Sequence, residues 1–247
     1  MAVKKLSKPI KKMLYVLLGI VIAGGLVLVF FPVYSPPIKD PVLLERMEWN
    51  GESVLVITPR FTEAAYGNHG FYNYYDGTCG KECLSIPLQS GRPDRWGSQS
   101  LRLTLFLNYL GYPEMTDVSV HENLLKNPGY LNQYGTVILL HSEYVTKELF
   151  QAITSHPNVI YLAPNALYAE ISWDGSTMTL IRGHNYPSFQ IKNGFDWKHD
   201  NTPEEYDLDC RLWKFREMPN GYQINCSAEA AFPNNPQIII KMKELIR

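Results

Sequence analysis

Basic side chains are scarce beyond the first 39 residues of this 247-residue chain: six of its 23 Lys and Arg precede Asp40, leaving 17 against 24 Asp and Glu. That acidic balance excludes a binder of phosphate backbones, which needs a basic face. The formal net charge of −1 hides it, because the lysines are concentrated at one end. Internal repeats and low-complexity tracts are absent, which excludes solenoids and linker-type chains. No G-x-S-x-G elbow, H-E-x-x-H helix, Walker loop or G-x-G-x-x-G turn occurs, which argues against serine hydrolases of the α/β type, zincins and common nucleotide binders. Neither cysteine of the C-x3-C pair stands at a strand-to-helix elbow, so a thiol-nucleophile amidotransferase lacks its catalytic residue.

Long apolar runs are limited to one. Met13 to Phe31 is 19 residues without a charge, about 29 Å as a helix and a match to a bilayer hydrocarbon core. Lys4, Lys5, Lys8, Lys11 and Lys12 precede it. The positive-inside rule then keeps a 1–12 tail in the cytoplasm and sends the remainder out. A cleaved signal peptide is the rival reading, but Phe30-Phe31-Pro32-Val33-Tyr34 lacks a small-x-small cleavage pattern. The expectation is a single-pass membrane anchor over 13–31, a stiff Pro-containing linker over 32–39 and a folded exterior portion from Asp40. About 208 residues suffice there for one good-sized core.

Cysteine is limited to four, all in that exterior portion, where disulfides persist. Cys79 and Cys83 enclose a short turn, while Cys210 and Cys226 flank a hairpin centred near Pro219-Asn220-Gly221. The spacing predicts local bridges Cys79–Cys83 and Cys210–Cys226; a four-cysteine zinc site is the alternative.

Against these absences stands one strong pattern. The apolar run Thr136 to Leu140 stops at His141-Ser142-Glu143-Tyr144; a helical stretch runs to Ser155; a second apolar run, Asn158 to Ala163, stops at Pro164-Asn165. This reads as a β-α-β unit whose strands are parallel neighbours, with both polar clusters at carboxyl ends of strands, where open α/β sheets bind ligands. Ser53 to Thr58 is a further buried strand and Thr116 to Val120 another, ending at His121-Glu122. Ser98 caps a helix through Leu110 with Leu101, Leu105 and Tyr109 on one face. Arg60, Thr62, His121, Glu122, His141, Glu143 and Asn165 would thus share one edge of a doubly wound sheet. The long segment carrying Tyr66, Tyr72, Tyr74 and Tyr75 would serve as a lid, or as an aromatic plug. The reading divides the exterior portion into an α/β part, 40–170, and a β-rich extension with a terminal helix, 171–247, packed on it.

At a strand-to-helix corner an imidazole and a carboxylate at i and i+2 project into one cleft, suited to holding a metal or moving a proton. The structural alternative is that Ser142 caps the helix, Glu143 faces its positive end and His141 closes the strand. Asn165 offers an amide donor to a developing oxyanion, or simply suits a loop. The tyrosines offer phenolate ligands to iron or a stacking wall. His184 is a loop histidine without a partner in sequence.

The segments Val137 to Tyr144 and Tyr161 to Tyr168 resemble the C-terminal domain of the N,N-dimethylformamidase large (beta) subunit, in which a strand leads to H-x-E-Y-W and a later one to G-G-N-x-x-Y-W. In an anchored form, the chain also looks like archaeal surface proteins. The resemblance implies a Rossmann-like, class I glutamine amidotransferase-like sheet. It also implies an iron ion held by one glutamate and two tyrosines, used to hydrolyse a small amide C–N bond. Glutamate falls on Glu143, histidine on His141 and asparagine on Asn165; Tyr66 and Tyr74 stand as the tyrosine ligands. Val145 and Ala169 replace the motif tryptophans, and Ala163-Pro164 replaces Gly-Gly. These departures sustain a second reading, a non-catalytic cell-surface binding module or structural envelope protein that uses the aromatic segment.

Overall fold

Three stretches of β-rich sequence, buried throughout except at Thr58, build the centre of a six-stranded sheet: β1 (Val54–Thr58), β4 (Thr136–Leu139) and β6 (Val159–Tyr161). Runs apolar on both faces are what a parallel sheet covered on both sides requires. The structure is a computed structural model and describes residues 53–88, 103–232 and 235–247. The basic tail, the apolar run 13–31, the linker 32–39 and the Ser98 cap lie outside the described residues. Among the described residues no helix is long and apolar enough to cross a membrane.

The remaining strands are β2 (Ser85–Pro87), β3 (Glu114–Thr116), β5 (Tyr144–Thr146), β7 (Ala169–Trp173), β8 (Thr177–Arg182), β9 (Phe215–Met218) and β10 (Gly221–Ile224). The larger sheet has the order β3-β1-β4-β6-β10-β9. β3, β1, β4, β6 and β10 run parallel and β9 antiparallel at the edge. β4 and β6 are parallel neighbours in register Val137↔Val159, as the β-α-β pattern predicts. The second sheet, β2-β8-β7-β5, is antiparallel except where β5 pairs with β7, Tyr144 opposite Ala169. The architecture is mixed α/β with parallel and antiparallel pairing. Residues beyond 171 contribute to both sheets: the Trp173-to-Thr177 turn closes the β7–β8 hairpin, and Pro219-Asn220 closes β9–β10.

The helices are α1 (Arg60–Ala65), α2 (Phe71–Tyr75), α3 (103–109), α4 (Asp117–Lys126), α5 (Lys147–Ser155), α6 (Ala228–Ala231) and α7 (Gln237–Glu244). Two of them correct the sequence reading. Thr116 to Val120 is not a strand: Thr116 ends β3, and its Oγ1 accepts from Ser119 N to cap α4. The buried set Asp117, Val120, His121 and Leu124 has helical spacing, and two of its four members are polar, which conceals the stripe. His121 and Glu122 therefore leave the sheet edge, and His121 Nδ1 meets Thr146 Oγ1 at 2.9 Å. In α3 the buried residues are Leu103, Thr104, Phe106 and Leu107, whereas Leu105 and Tyr109 are exposed. Both expected disulfides are present, Cys79–Cys83 and Cys210–Cys226, so no four-cysteine zinc site exists.

Candidate functional site

The order of the parallel strands reverses direction between β1 and β4: from β1 the chain crosses to β3 on one side, then returns past β1 to β4 on the other. Such a reversal opens a crevice at the carboxyl ends of the two central strands. α1 leaves the end of β1, and His141-Ser142-Glu143 leaves the end of β4. After Glu143 the chain does not enter a helix at once. It runs as β5 into the second sheet, and the connection after β6 does the same through Asn165 to β7. Leu167 N donates to Ser142 O (2.8 Å) and Ala169 N to Glu143 O (2.9 Å), so the two connections brace each other. Leu167 holds a left-handed φ of 60° there, local strain of about 1 kcal/mol or more that the surrounding hydrogen bonds must offset.

Glu143 lies at the centre, 1% exposed. Its Oε1 accepts from Tyr66 OH at 2.9 Å, its Oε2 from Tyr72 OH at 3.3 Å, and Tyr72 OH also donates to Tyr66 OH at 2.8 Å. His141 Nε2 stands 3.0 Å from Oε1. The Asn165 amide donates to both Glu143 and Glu205. The Tyr66 and Tyr72 rings stack at 4.1 Å. The backbone under Glu143 is clamped by Thr62 of α1, whose Oγ1 accepts from Glu143 N (2.9 Å) and Tyr144 N (3.1 Å). Under His141 the buried Glu229 of α6 accepts the main-chain N–H at 2.6 Å.

His141, Glu143, Asn165 and Tyr66, all singled out from sequence, are brought together. Tyr74 is not: its ring meets the edges of Tyr75 and Tyr186. Positions 72 and 74 are about 200° apart around a helix, so only one of them faces Glu143. Sequence reasoning names Tyr72 as part of the aromatic segment without choosing it, and misses Glu205 and Glu229 altogether. Glu205 sits in a short 3-10 turn, Thr202–Tyr206, that no motif marks. His184 stacks beside Tyr168, at 6.2 Å between centroids.

The electrostatics are those of an anionic cluster in a poor solvent. Burial, and then the charge of Glu143, hold both the Tyr66 and Tyr72 phenols well above the usual phenol range, so they are protonated donors at neutral pH. Burial alone would depress the His141 imidazole; the adjacent Glu143 outweighs it and holds it up at about 9. Burial, followed by the charge of Glu143, pushes Glu205 up to about 7. Ligand atoms of His141, Glu143 and Glu205 lie within 4.8 Å of one another, a group able to hold a metal ion. The set fits a hard cation. Oxygens bound cis in an octahedron at about 2.0–2.1 Å sit about 2.9 Å apart, close to the spacings between Tyr72, Tyr66 and Glu143. Asn165 Oδ1 is buried without a partner among the described residues, as a carbonyl awaiting a donor would be.

Residues 28–224 match the model of the family described as N,N-dimethylformamidase beta subunit-like, C-terminal. No curated protein and no solved structure matches the chain.

Proposed function

This chain belongs to the N,N-dimethylformamidase beta subunit-like, C-terminal family, and from that premise we propose that it hydrolyses the C–N bond of a small amide with an iron ion held by Glu143, Tyr66 and Tyr72. The observation that carries the reading is the convergence of two phenols, one at the C-cap of α1 and one from α2, on one buried carboxylate. Tyr72 replaces Tyr74 as the second tyrosine ligand. Bound there, the ion supplies Lewis acidity, polarising an amide carbonyl and making water a better nucleophile at neutral pH.

The chain's own groups supply the rest. His141 Nε2 holds Glu143 Oε1 in place. The Asn165 amide gives both its N–H groups to the carboxylates of Glu143 and Glu205, so it fixes the two relative to each other and has no donor left for an oxyanion. Glu205, less buried than Glu143 and with its carboxyl poised at about 7, takes a proton from the attacking water on Oε2 and returns it to the leaving amine. The strand order supports a Rossmann-like, class I glutamine amidotransferase-like sheet. We place this domain outside the cell membrane, on a retained anchor at 13–31, on the strength of the uncharged run and the five lysines before it.

The test is metal content together with a visible spectrum of the purified chain, followed by N,N-dimethylformamide hydrolysis. The expected result is one iron per chain, coloured by phenolate-to-iron charge transfer, with colour and turnover both lost in Glu143→Gln. A chain that binds no transition metal, and whose Glu143→Gln variant behaves as the parent, would overturn the proposal and leave the non-catalytic binding module.

A further inference from the structure

A second group of metal-binding side chains lies on the far face of α1. Arg60, Glu63 and Gly67 of α1 and the turn after it, with His69, Cys79, Glu82 and Cys83 opposite, line a cavity of about 640 Å³. The ligand atoms of His69, Cys79 and Cys83 all fall within 4.8 Å of one another. Glu82 Oε1 lies 3.5 Å from Cys79 Sγ.

The imidazole is presented by a turn that has little freedom. Gly70 N donates to Gly67 O at 2.9 Å, and His69 holds a left-handed φ of 60° inside that turn. Gly70 is pressed so closely on α1 that a Cβ there would come within 2.2 Å of Ala65 O. The backbone that carries the exposed His69 ring is thus held beside the two sulfurs, whatever their oxidation state.

The two disulfides of the protein differ in access. Cys210 and Cys226 are both fully buried, whereas Cys79 is only half-buried and borders the cavity. A small thiol reaches Cys79–Cys83 in the folded protein and does not reach the other bridge.

We propose that Cys79 and Cys83, when reduced, form with His69 and Glu82 a site for a thiophilic divalent cation of the zinc class, which the disulfide keeps closed. A dithiol reductant breaks the S–S bond, gives its two hydrogens to the cysteines and is itself oxidised to a disulfide. The cation then displaces the two thiol protons. Two thiolates, an imidazole and a carboxylate make a zinc-type tetrahedral set, with sulfurs about 3.8 Å apart for bonds of about 2.3 Å. Rotation of the two cysteine side chains supplies that separation.

The experiment treats the full chain in detergent with a water-soluble dithiol under native conditions, followed by thiol alkylation and peptide mapping. A parallel sample, freed of reductant, is titrated with Co²⁺ and then Zn²⁺. Alkylation is expected at Cys79 and Cys83 and not at Cys210 or Cys226. The reduced protein is expected to take up one Co²⁺ with a near-ultraviolet thiolate charge-transfer band that Zn²⁺ removes, and the oxidised protein to show no such band. The oxidised protein keeps Glu143, Tyr66 and Tyr72 but has no thiolate, so a band that depends on reduction separates cobalt on sulfur from cobalt on phenolate. His69→Asn, which keeps the disulfide and tolerates the left-handed backbone, is expected to weaken Co²⁺ binding by the reduced form at least tenfold. Absence of the band, an unchanged affinity in His69→Asn, or equal alkylation of all four cysteines would overturn the proposal.

Discussion

Tyr72 and Tyr74 occupy one five-residue helix two positions apart, and that offset decides which phenol reaches the carboxylate. Tyr72→Phe is expected to reduce iron retention by more than the ten- to about a hundredfold that loss of a hydrogen-bond partner behind a ligand costs. Tyr74→Phe is expected to leave it unchanged; iron per chain after gel filtration distinguishes the two. Glu205→Gln is expected to keep the iron and its colour while lowering turnover of N,N-dimethylformamide about 10²- to 10⁴-fold, the usual contribution of a positioned acid–base group. Retained activity would remove Glu205 from the chemistry. His141, Glu143 and Asn165 were legible because each ends an apolar run, and a run that stops at polar residues marks a strand end. The choice between Tyr72 and Tyr74 was not, because helical phase inside the aromatic segment depends on where α2 begins. Glu205 was illegible for a different reason: it reaches the site from some 40 residues beyond Asn165 by tertiary packing, on a turn without periodicity.

At the scale of elements, the site depends on β5 being clamped to α1. Thr62 Oγ1 accepts two main-chain N–H groups, from Glu143 and Tyr144, both buried. Thr62→Val keeps the shape and removes the acceptor, leaving two buried donors unpaired. A loss of roughly 1–3 kcal/mol in unfolding free energy is expected, together with weaker iron binding because Glu143 is no longer held. Denaturant titration and metal content measure the two effects, and an unchanged stability would show that the clamp carries no weight. Thr62 could be placed at the end of β1 from sequence, but its partner could not. Tyr144-Val145-Thr146 is a strand of only three residues lying against the N-terminus of α5, and its pairing with β7 is non-local. Short strands of that kind show neither alternation nor a flanking turn. The β4–α5–β6 unit was readable because its strands are short buried runs and its helix has a regular apolar face; the helix cap is Thr146, not the Ser142 that the sequence suggests. α4 was misread because half of its buried stripe is polar.

For the molecule as a whole, the cluster ties stability to pH in opposite senses with and without metal. In the metal-free chain Glu205 is raised from 4.5 to about 7, with burial the larger cause, so the cost of ionising it in the folded state appears as pH rises between those values. The buried Asp117, also pushed up by burial, acts in the same direction. His141 is raised from 6.5 to about 9; its pairing with Glu143 stabilises the fold fully below 6.5, and that contribution is lost as pH passes 9. The carboxyls held low, Glu82, Asp174 and Asp196, by backbone and side-chain hydrogen bonds, are exposed and contribute little. The Tm of the metal-free protein is therefore expected to fall steadily from pH 5 to pH 9. Binding of the proposed iron would reverse the sign, because Tyr66 and Tyr72 are protonated until an ion displaces their protons. Two protons released per ion raise the apparent affinity about a hundredfold per pH unit, and tighter binding to the folded state raises Tm. The gap between metal-loaded and metal-free Tm should widen from pH 5 to pH 8. Glu143→Gln should abolish the gap and flatten the His141 part of the metal-free profile. A metal-free Tm that is level or rises over this range, or a gap that narrows with pH, would show that the phenols and the imidazole do not share the carboxylate.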